Sequence, residues 1–360
     1  MARLRIGVVG VGHLGKEHAR ILSGLPEVEL VGVVDTSPAQ AQAIAEKCQT
    51  KAFTDYRELV PLVQAAVIVV PTAYHHEVAT AYLRAGVPVL VEKPFAPTVA
   101  QADEVLNLAR QRGLVVQVGH IERFNPAFEE LQRRPLVPKY IRAERNSGFS
   151  GRSTDVGVVM DMMIHDLDLV LALVKSPVAR VEALGVAVLN GNEDIAHATV
   201  HFANGAVASL SANRVSAEPS RRMQVMGPEG FAVVDFAKKS VTLTQRAEHL
   251  RSGKIDSRTA DAATLTSLRT ELYTRHLETQ TLDRSGGDQL TAELRDFIRA
   301  VTTGSAPRVD GVAGRDAVAL AQQIVSALNA HCWDARHVGP RQLPAPSGVL
   351  FANESSQQAA

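Results

Sequence analysis

The stretch VVMDMMIHDLDLVLALV, residues 158–174, has the apolar content of a buried helix but carries four ionisable residues. Asp161, His165 and Asp168 are spaced i, i+4 and i+7, which predicts that they share one face of a helix, within an arc of about 60°. Histidine is the side chain most often used as a general acid or base. The polar stripe therefore favours a helix between a core and a ligand cavity, although a buried network of self-paired groups would give the same pattern. Asp166 points away from the stripe, which favours a structural contact.

A second group suited to proton transfer stands in VLVEKPFAP, where an apolar predicted strand ends in Glu92-Lys93-Pro94. The carboxyl ends of parallel strands are where α/β sheets bind ligands. A lysine at that edge can donate a hydrogen bond to a substrate oxygen, or transfer a proton if its pKa is lowered. A solvated lysine at a strand end is the alternative. Pro94 also makes a cis Lys93–Pro94 bond feasible.

The N-terminal segment RIGVVGVGHLGKEHARIL places the pattern Gly10-x-Gly12-x-x-Gly15 between a predicted strand and a predicted helix. In this pattern Gly10 permits a tight turn, Gly12 lets the backbone approach a pyrophosphate, and Gly15 lets the helix pack closely on the strand. The N-terminus of the helix then faces the phosphate charge. The segment is predicted to bind a dinucleotide, and a glycine turn in an unrelated α/β protein is the alternative.

Asp35, at the end of the next predicted strand, indicates which dinucleotide is bound. Its carboxylate is expected to accept hydrogen bonds from both hydroxyls of the adenosine ribose and to repel a 2′-phosphate, so NAD is predicted in preference to NADP. A later strand end, VIVVPTAYHHEV, adds Thr72 and His75 as candidate cofactor contacts, with exposed loop residues as the alternative. The predicted cofactor contacts are Gly10, Gly12, His13, Leu14, Gly15, Asp35, Pro71, Thr72, His75, Glu92 and Lys93.

The elements that must position these residues change in type along the chain. Residues 1–122 alternate short, valine-rich apolar runs with amphipathic segments, the pattern of a doubly wound α/β domain whose parallel sheet is buried on both faces. In residues 123–340 the β-type runs follow one another, and FANGAVASL and MGPEGFAVV carry hairpin and turn signals. We predict an N-terminal Rossmann domain followed by an α/β domain with a large, mostly antiparallel open sheet.

Three further features complete the predicted outline. Residues 251–285 are polar and are interpreted as an insertion, with part of it helical. Two helices are predicted near residues 288–302 and 313–331. Residues 341–360 are predicted to form a flexible tail.

The composition argues against several classes of function. Lys and Arg together number 38, as do Asp and Glu, and this balance gives no electrostatic basis for binding nucleic acid or an acidic membrane surface. The sequence has no apolar run long enough to span a bilayer, and we expect no signal peptide because a strand begins at once. Cys48 and Cys332 form no CxxC pair, and no cluster of metal ligands is evident. We therefore expect a cytoplasmic protein that acts on a small molecule without a metal.

The glycine fingerprint, the Glu92-Lys93-Pro94 strand end and the Asp161-x-x-x-His165 helix occur in an order that resembles the Gfo/Idh/MocA family of NAD(P)-dependent oxidoreductases, over residues 3–330. The resemblance implies a Rossmann domain followed by an α/β domain whose open sheet commonly forms a dimer or tetramer interface. It also implies oxidation or reduction of a hydroxyl group of a sugar, a cyclitol or a sugar nucleotide.

The resemblance further implies a role for each motif residue. Lys93 would assist proton transfer at the reacting hydroxyl, and His165 would be the catalytic acid or base. Asp161 would bind or orient the substrate, and His75 would lie beside the cofactor. Lys93, Asp161 and His165 are thus implied both to act in catalysis and to contact substrate.

The segment GHIERFNPA, residues 119–127, resembles the branch of the family that oxidises the 3-hydroxyl of a UDP-N-acetylhexosamine or its uronic acid. This branch implies that Arg123 and Asn125, at the domain junction, contact substrate. Met163 departs from the commoner family pattern, which has glycine there, so the substrate stays open. The alternatives are a dehydrogenase of a free sugar or cyclitol and a sensor that binds NAD and a sugar without turnover.

Overall fold

The computed structural model of this chain contains two large sheets with helices packed on them. It describes residues 3–151, 156–189, 191–253, 255–283, 286–334 and 337–340. The predicted tail, residues 341–360, lies outside the described residues. Within the described segments, no helix combines the length and the apolar surface that crossing a bilayer requires.

The first sheet has six parallel strands in the order β3-β2-β1-β4-β5-β6, the order of a dinucleotide-binding doubly wound fold. Its strands are β1 (Leu4–Val9), β2 (Val28–Val34), β3 (Lys51–Phe53), β4 (Ala65–Ile68), β5 (Val89–Glu92) and β6 (Val116–Gly119). The connecting helices are α1 (Gly15–Gly24), α2 (Pro38–Cys48), α3 (Tyr56–Leu59), α4 (His75–Arg84) and α5 (Val99–Arg112). All residues of β4 and β5 are buried, which is why these strands have continuous apolar sequences. The prediction of a Rossmann sheet is confirmed.

The second sheet has eight strands in the order β14-β13-β12-β11-β7-β10-β9-β8, and its neighbours are antiparallel except for β7 and β10. Its strands are β7 (Tyr140–Asn146), β8 (Val178–Val186), β9 (Ile195–Phe202), β10 (Val207–Asn213), β11 (Ser220–Gly227), β12 (Gly230–Asp235), β13 (Ser240–Arg246) and β14 (Leu277–Asp283). The Asn-Gly hairpin joins β9 to β10, and Gly205 has the positive φ of 81° that such a turn favours. The prediction of a large, mostly antiparallel sheet is confirmed.

The segment 251–285 is more regular than its polar sequence indicated. It follows α8 (Glu248–Arg251) and contains α9 (Ala262–Thr270), a π-helical turn (Leu272–His276) and then β14. Because β14 pairs with β13 along its whole length, this end of the segment is an edge of the sheet and not an insertion outside it. Most side chains of β14 are exposed, so its sequence, LETQTLD, lacks the apolar alternation of a half-buried strand.

Helices cover one face of the second sheet. After β6 the chain passes through a 3-10 turn (Ile121–Phe124) and α6 (Pro126–Gln132) before it enters the sheet. The helix predicted over residues 158–174 is present, with a π-helical segment (Val159–Met163) leading into α7 (Ile164–Val174). This helix packs beside α11 (Gly311–Ala330), and both contact the sheet.

The end of the chain returns to the first sheet. Helix α10 (Gln289–Thr303) buries Leu294 and Phe297 in the same apolar core as Ile6 and Val8 of β1. Residues 1–122 therefore do not complete their own core. The domain boundary between residues 122 and 123 stays a prediction. The packing adds that α10 belongs spatially with the first sheet.

Candidate active site

The loop between β1 and α1 has the geometry that its glycines predicted. Gly10 has a φ of 87°, and a Cβ added there would lie 2.6 Å from the carbonyl oxygen of Val69. A Cβ on Gly15 would lie 1.8 Å from the carbonyl oxygen of Gly10, whereas one on Gly12 would meet nothing within 4 Å. Gly10 and Gly15 therefore permit close backbone packing, and Gly12 faces open space where a pyrophosphate can approach the helix N-terminus.

Asp35 follows β2 and lies beside this loop. One carboxylate oxygen accepts the N–H of Val11 at 3.1 Å, and the other accepts the N–H of Ser37 at 3.0 Å. Each oxygen can accept more than one hydrogen bond, so both keep capacity for ribose hydroxyls. The loop and Asp35 together fit the adenosine and pyrophosphate parts of NAD.

A cleft of about 1300 Å³ extends from the glycine loop to α7 and β11. Pockets for one drug-sized ligand usually measure about 300–1,000 Å³, so this cleft has room for a dinucleotide and a second molecule. The cleft is lined by most of the residues predicted to touch cofactor or substrate, namely Gly10, Gly12, His13, Leu14, Asp35, Pro71, Thr72, Glu92, Lys93, Asp161 and His165.

Lys93 and Asp161 meet in the middle of the cleft. The Lys93 Nζ donates to the carbonyl oxygen of Asp161 at 2.7 Å and lies 3.3 Å from its Oδ1. Asp161 is in the π-helical segment, and such segments occur frequently at functional sites. The Lys93–Pro94 bond is cis, as the sequence made feasible. These contacts orient the ammonium group of Lys93 at the point where α7 begins.

His165 lies in the first turn of α7, half-buried at the cleft. Burial, together with the positive charges of Lys93 and Arg145, holds the pKa of His165 well below its ordinary value. The ring is therefore neutral at neutral pH and can accept a proton. Its Nδ1 has no hydrogen-bond partner among the described residues.

His120 packs behind His165, with the two ring centroids 6.5 Å apart and the rings nearly perpendicular. It is fully buried, and burial lowers its pKa as well. Neither of its ring nitrogens has a hydrogen-bond partner among the described residues. A second neutral imidazole thus forms the wall behind the candidate base.

Glu92 supports the cleft from the end of β5. It accepts a hydrogen bond from His18 Nε2 at 2.9 Å and one from the backbone N–H of Lys93 at 3.1 Å. Burial alone would raise the pKa of Glu92, but the hydrogen bond from His18, followed by the electrostatic interactions with His18 and Lys93, outweighs it and lowers the pKa. The ionised carboxylate therefore fixes α1 to the strand end that carries Lys93.

Asp168 does not face the cleft, which corrects the prediction of a three-residue stripe. Its two oxygens accept hydrogen bonds from the Nε and Nη2 of Arg123 at 2.6 and 2.9 Å, and the residue is fully buried. Because Asp168 comes three residues after His165 in the helix, its side chain is rotated by about 60° from that of His165 and lies nearly one helical turn further along. Asp166 makes a bidentate ion pair with Arg145 at 2.9 and 2.8 Å, so its predicted structural contact is confirmed.

Four residues predicted to contact ligands lie outside the lining of the cleft, namely Gly15 of the glycine loop and Arg123, Asn125 and His75. Arg123 is held by Asp168, and Asn125 caps α6 by accepting the N–H of Ala127 at 3.1 Å. The amide of Asn125 also donates to the carbonyl oxygen of Phe236 at 3.1 Å. The two ring nitrogens of His75 each lie 2.8 Å from a carbonyl oxygen, those of Pro94 and Val70. These contacts make Arg123, Asn125 and His75 part of the support of the cleft, and their predicted contacts with substrate or cofactor stay predictions.

Comparison with known families explains this combination of fold and cleft. Residues 4–120 match an oxidoreductase family with an NAD-binding Rossmann fold, and residues 131–233 match the Gfo/Idh/MocA C-terminal domain. The chain belongs to the Gfo/Idh/MocA family. It is therefore an oxidoreductase, a dehydrogenase of CH–OH groups whose cofactor is NAD.

Members of the family that resemble this chain act on different substrates. The UDP-N-acetylglucosamine 3-dehydrogenase of Acidithiobacillus ferrooxidans is 36% identical over 331 residues, which cover 92% of this chain and 99% of the relative. A solved structure of that protein superposes with a TM-score of 0.80 over 91% of this chain and 98% of its own. The inositol 2-dehydrogenase of Rhizobium meliloti is 26% identical over 90% of this chain and 97% of its own length.

Among the described residues of this Gfo/Idh/MocA protein, no three or more His, Cys, Asp or Glu side chains are grouped to hold a metal ion. Sequence reasoning missed His18, His120 and Arg221 as residues at the cleft or its wall. His120 is the second residue of the motif GHIERFNPA, which was a usable signal. His18 and Arg221 gave none, since each is recognised only by what the fold places beside it.

Proposed function

We propose that this protein oxidises the 3-hydroxyl of a UDP-N-acetylhexosamine and reduces NAD. The observation that carries the proposal is that the dinucleotide loop, Lys93 and His165 all line the same cleft. The similarity to a UDP-N-acetylglucosamine 3-dehydrogenase over nearly the whole of both chains supports this substrate.

The chemistry follows from the states of the side chains. Neutral His165 accepts the proton of the hydroxyl group, and the Lys93 ammonium donates a hydrogen bond to the same oxygen as it becomes a carbonyl. Asp161 holds Lys93 in place through its carbonyl and carboxylate oxygens. Bound NAD supplies the acceptor for the hydride that leaves the substrate carbon.

A dehydrogenase of a free cyclitol is the second candidate, because inositol dehydrogenases also align with most of the chain at lower identity. A sensor without turnover fits less well. A binding protein has no need of a neutral histidine and a lysine that line the same cleft.

We also propose that the protein acts in the cytoplasm as a homodimer or homotetramer formed through the second sheet. On β9 every second side chain is buried under the helices, while the alternate side chains stay half-buried on the other face. Cys48 and Cys332 are both free thiols, as a reducing compartment favours. The molar mass in solution, measured by light scattering, tests the assembly.

The substrate proposal is tested by following NADH formation with UDP-N-acetylglucosamine, UDP-N-acetylgalactosamine, free N-acetylglucosamine and myo-inositol. We expect turnover with a UDP-N-acetylhexosamine and little with the free sugar or the cyclitol. The Lys93→Met variant is expected to bind NAD normally and to lose about 10²- to 10³-fold in kcat, the usual effect of removing a hydrogen-bond donor to the reacting oxygen. Lys47→Met, in the exposed last turn of α2, is the matched control.

Two results would contradict the proposal. Turnover of myo-inositol alone would favour the cyclitol candidate. Full activity of the Lys93→Met variant would remove Lys93 from the chemistry.

A further inference from the structure

Two arginines of the second sheet stand side by side but differ in what they contact. Arg145 of β7 and Arg221 of β11 are register partners in the antiparallel pair, so their side chains project from the same face of the sheet. Arg145 is buried, whereas Arg221 is exposed. Both line the cleft that contains Lys93 and His165.

Each of the three guanidinium nitrogens of Arg145 already donates a hydrogen bond. It makes two hydrogen bonds with Asp166, at 2.9 and 2.8 Å, and one with Glu122 at 3.0 Å. The other oxygen of Glu122 accepts the amide of Asn125 at 3.0 Å. All four carboxylate oxygens beside Arg145 are thus engaged, and none is directed to Arg221.

Arg221 keeps its donors available. Among the described residues its guanidinium has neither an ion pair nor a hydrogen bond, and its backbone oxygen accepts the N–H of Phe236 at 2.9 Å. Its strand lies inside the sheet between β7 and β12, which fixes the direction of the side chain. A guanidinium presents a planar set of donors that matches phosphate or carboxylate groups.

Arg221 lies near the reacting end of the cleft. Its register partner, Arg145, is hydrogen-bonded to Asp166, the residue that follows His165. The charge of Arg221 also makes a smaller contribution than burial to the lowering of the His165 pKa. The phosphates of the dinucleotide belong at the other end, at Gly12. The anion that Arg221 can bind is therefore part of the second molecule in the cleft.

We propose that Arg221 binds the diphosphate of the sugar nucleotide and so selects a UDP-linked sugar over a free one. This inference rests on the proposed function, since a free sugar or cyclitol carries no such anion. In a UDP-N-acetylhexosamine the diphosphate is attached at C1, two carbon–carbon bonds from C3. A hexose whose 3-hydroxyl meets His165 and Lys93 can therefore place its diphosphate at the same end of the cleft.

The test compares Arg221→Met with Arg222→Met. Arg222 is the next residue of β11, projects from the opposite face, and has its own partner, Asp235, at 3.4 Å. For Arg221→Met we expect the KM for UDP-N-acetylglucosamine to rise about 10- to 100-fold with kcat within a few-fold of wild type, as for loss of a hydrogen-bonded charge. The Kd for UDP, measured by calorimetry, is expected to rise by a similar factor. Arg222→Met should change neither value.

Further measurements separate the possible outcomes. An unchanged Kd for NAD and an unchanged melting temperature would show that Arg221→Met is folded. The Arg221→Lys variant keeps the positive charge but not the planar guanidinium, and we expect it to regain part of the UDP affinity. If the wild type oxidises UDP-N-acetylglucosamine and Arg221→Met has unchanged KM and UDP affinity, the inference is overturned while the proposed function stands. If the wild type neither binds UDP nor oxidises UDP-sugars, both are overturned.

Discussion

At the scale of single residues, we propose that Asp35 selects between the two nicotinamide dinucleotides. Its oxygens already accept the N–H groups of Val11 and Ser37, which hold the carboxylate at the end of β2. A ribose with two free hydroxyls can donate to this carboxylate, whereas a 2′-phosphate meets a like charge. We therefore expect the side chain to favour NAD both by attracting its ribose hydroxyls and by repelling the 2′-phosphate of NADP.

We predict that Asp35→Ala raises the Kd for NAD about 10- to 100-fold, through loss of hydrogen bonds to a charged acceptor. NADP affinity is expected to change much less, because the variant also removes the repulsion. Fluorescence titration with each reduced cofactor measures both values. Asp35→Asn keeps one acceptor oxygen for the loop and is therefore the control for loop disorder. Its Kd for NAD should lie between those of the wild type and Asp35→Ala. Equal losses for NAD and NADP would show that Asp35 is not the ribose ligand.

The residues predictable from sequence are those that end a recognisable element. Lys93 ends a strand, Asp35 ends another, and His165 belongs to a helical stripe, so each could be assigned a position before the fold was known. Asp168 belonged to the same stripe but is covered by Arg123, a partner that helical spacing cannot reveal. Arg221 looks like any exposed strand residue until its register partner is known.

At the scale of elements, α7 is anchored by two buried ion pairs on different sides of the helix. Asp166 is bound by Arg145 of β7, and Asp168 is bound by Arg123 of the 3-10 turn after β6. These pairs join the helix that carries His165 both to the second sheet and to the end of the first. The direction of His165 therefore depends on both sheets.

We predict that Asp168→Ala lowers the free energy of unfolding by about 3–5 kcal/mol, since it leaves Arg123 buried without its partner. The double variant Arg123→Met with Asp168→Leu is expected to recover most of this loss, because an apolar pair of similar volume has no charge to desolvate. Urea unfolding at neutral pH measures all three proteins. Asp256→Ala, which breaks an exposed pair with Arg258, is the control and should change stability little. If Asp168→Ala lowers the free energy of unfolding no more than Asp256→Ala does, the prediction is contradicted.

Elements were predictable where burial imposes a period on the sequence. The two hairpins and the helices near residues 288–302 and 313–331 carry such a period, whereas the Rossmann strands, buried on both faces, are recognised as continuous apolar runs. The edge strand β14 has exposed side chains on both faces, so its pairing with β13 left no apolar signal. The π-helical start of α7 was equally hidden, since an apolar run does not distinguish a π from an α turn.

At the scale of the whole molecule, chain order and spatial order differ. Helix α10, near the end of the chain, completes the core under β1, although the whole second sheet lies between them in sequence. Glu293 of α10 is fully buried there, and its backbone oxygen accepts the side chain of Gln117 at 3.0 Å. No periodicity in the sequence predicts such a return, because it depends on which surface the first sheet leaves uncovered.

Glu293 makes this contact between distant parts of the chain sensitive to pH. Neither carboxyl oxygen has a hydrogen-bond partner among the described residues. Burial, followed by the nearby charges of Glu92 and Asp296, raises the pKa of Glu293 well above its ordinary value. The folded state therefore keeps a proton that the unfolded state, with a glutamate pKa of about 4.3, releases. The contribution of protonated Glu293 to the free energy of unfolding is present at low pH and is lost as the pH rises through the pKa that this group has in the folded state.

We predict that Glu293→Gln stabilises the protein and that its advantage grows between pH 5 and pH 8, because glutamine stays neutral in both states. Each pKa unit is worth about 1.4 kcal/mol, so we expect a gain of at least that order at pH 8 and a smaller one at pH 5. Urea unfolding at the two pH values measures the gain. Glu58→Gln, on the exposed surface of α3, is the matched control and should show no such trend. A gain that is the same at both pH values would mean that Glu293 is ionised in the folded protein, held by a partner outside the described contacts.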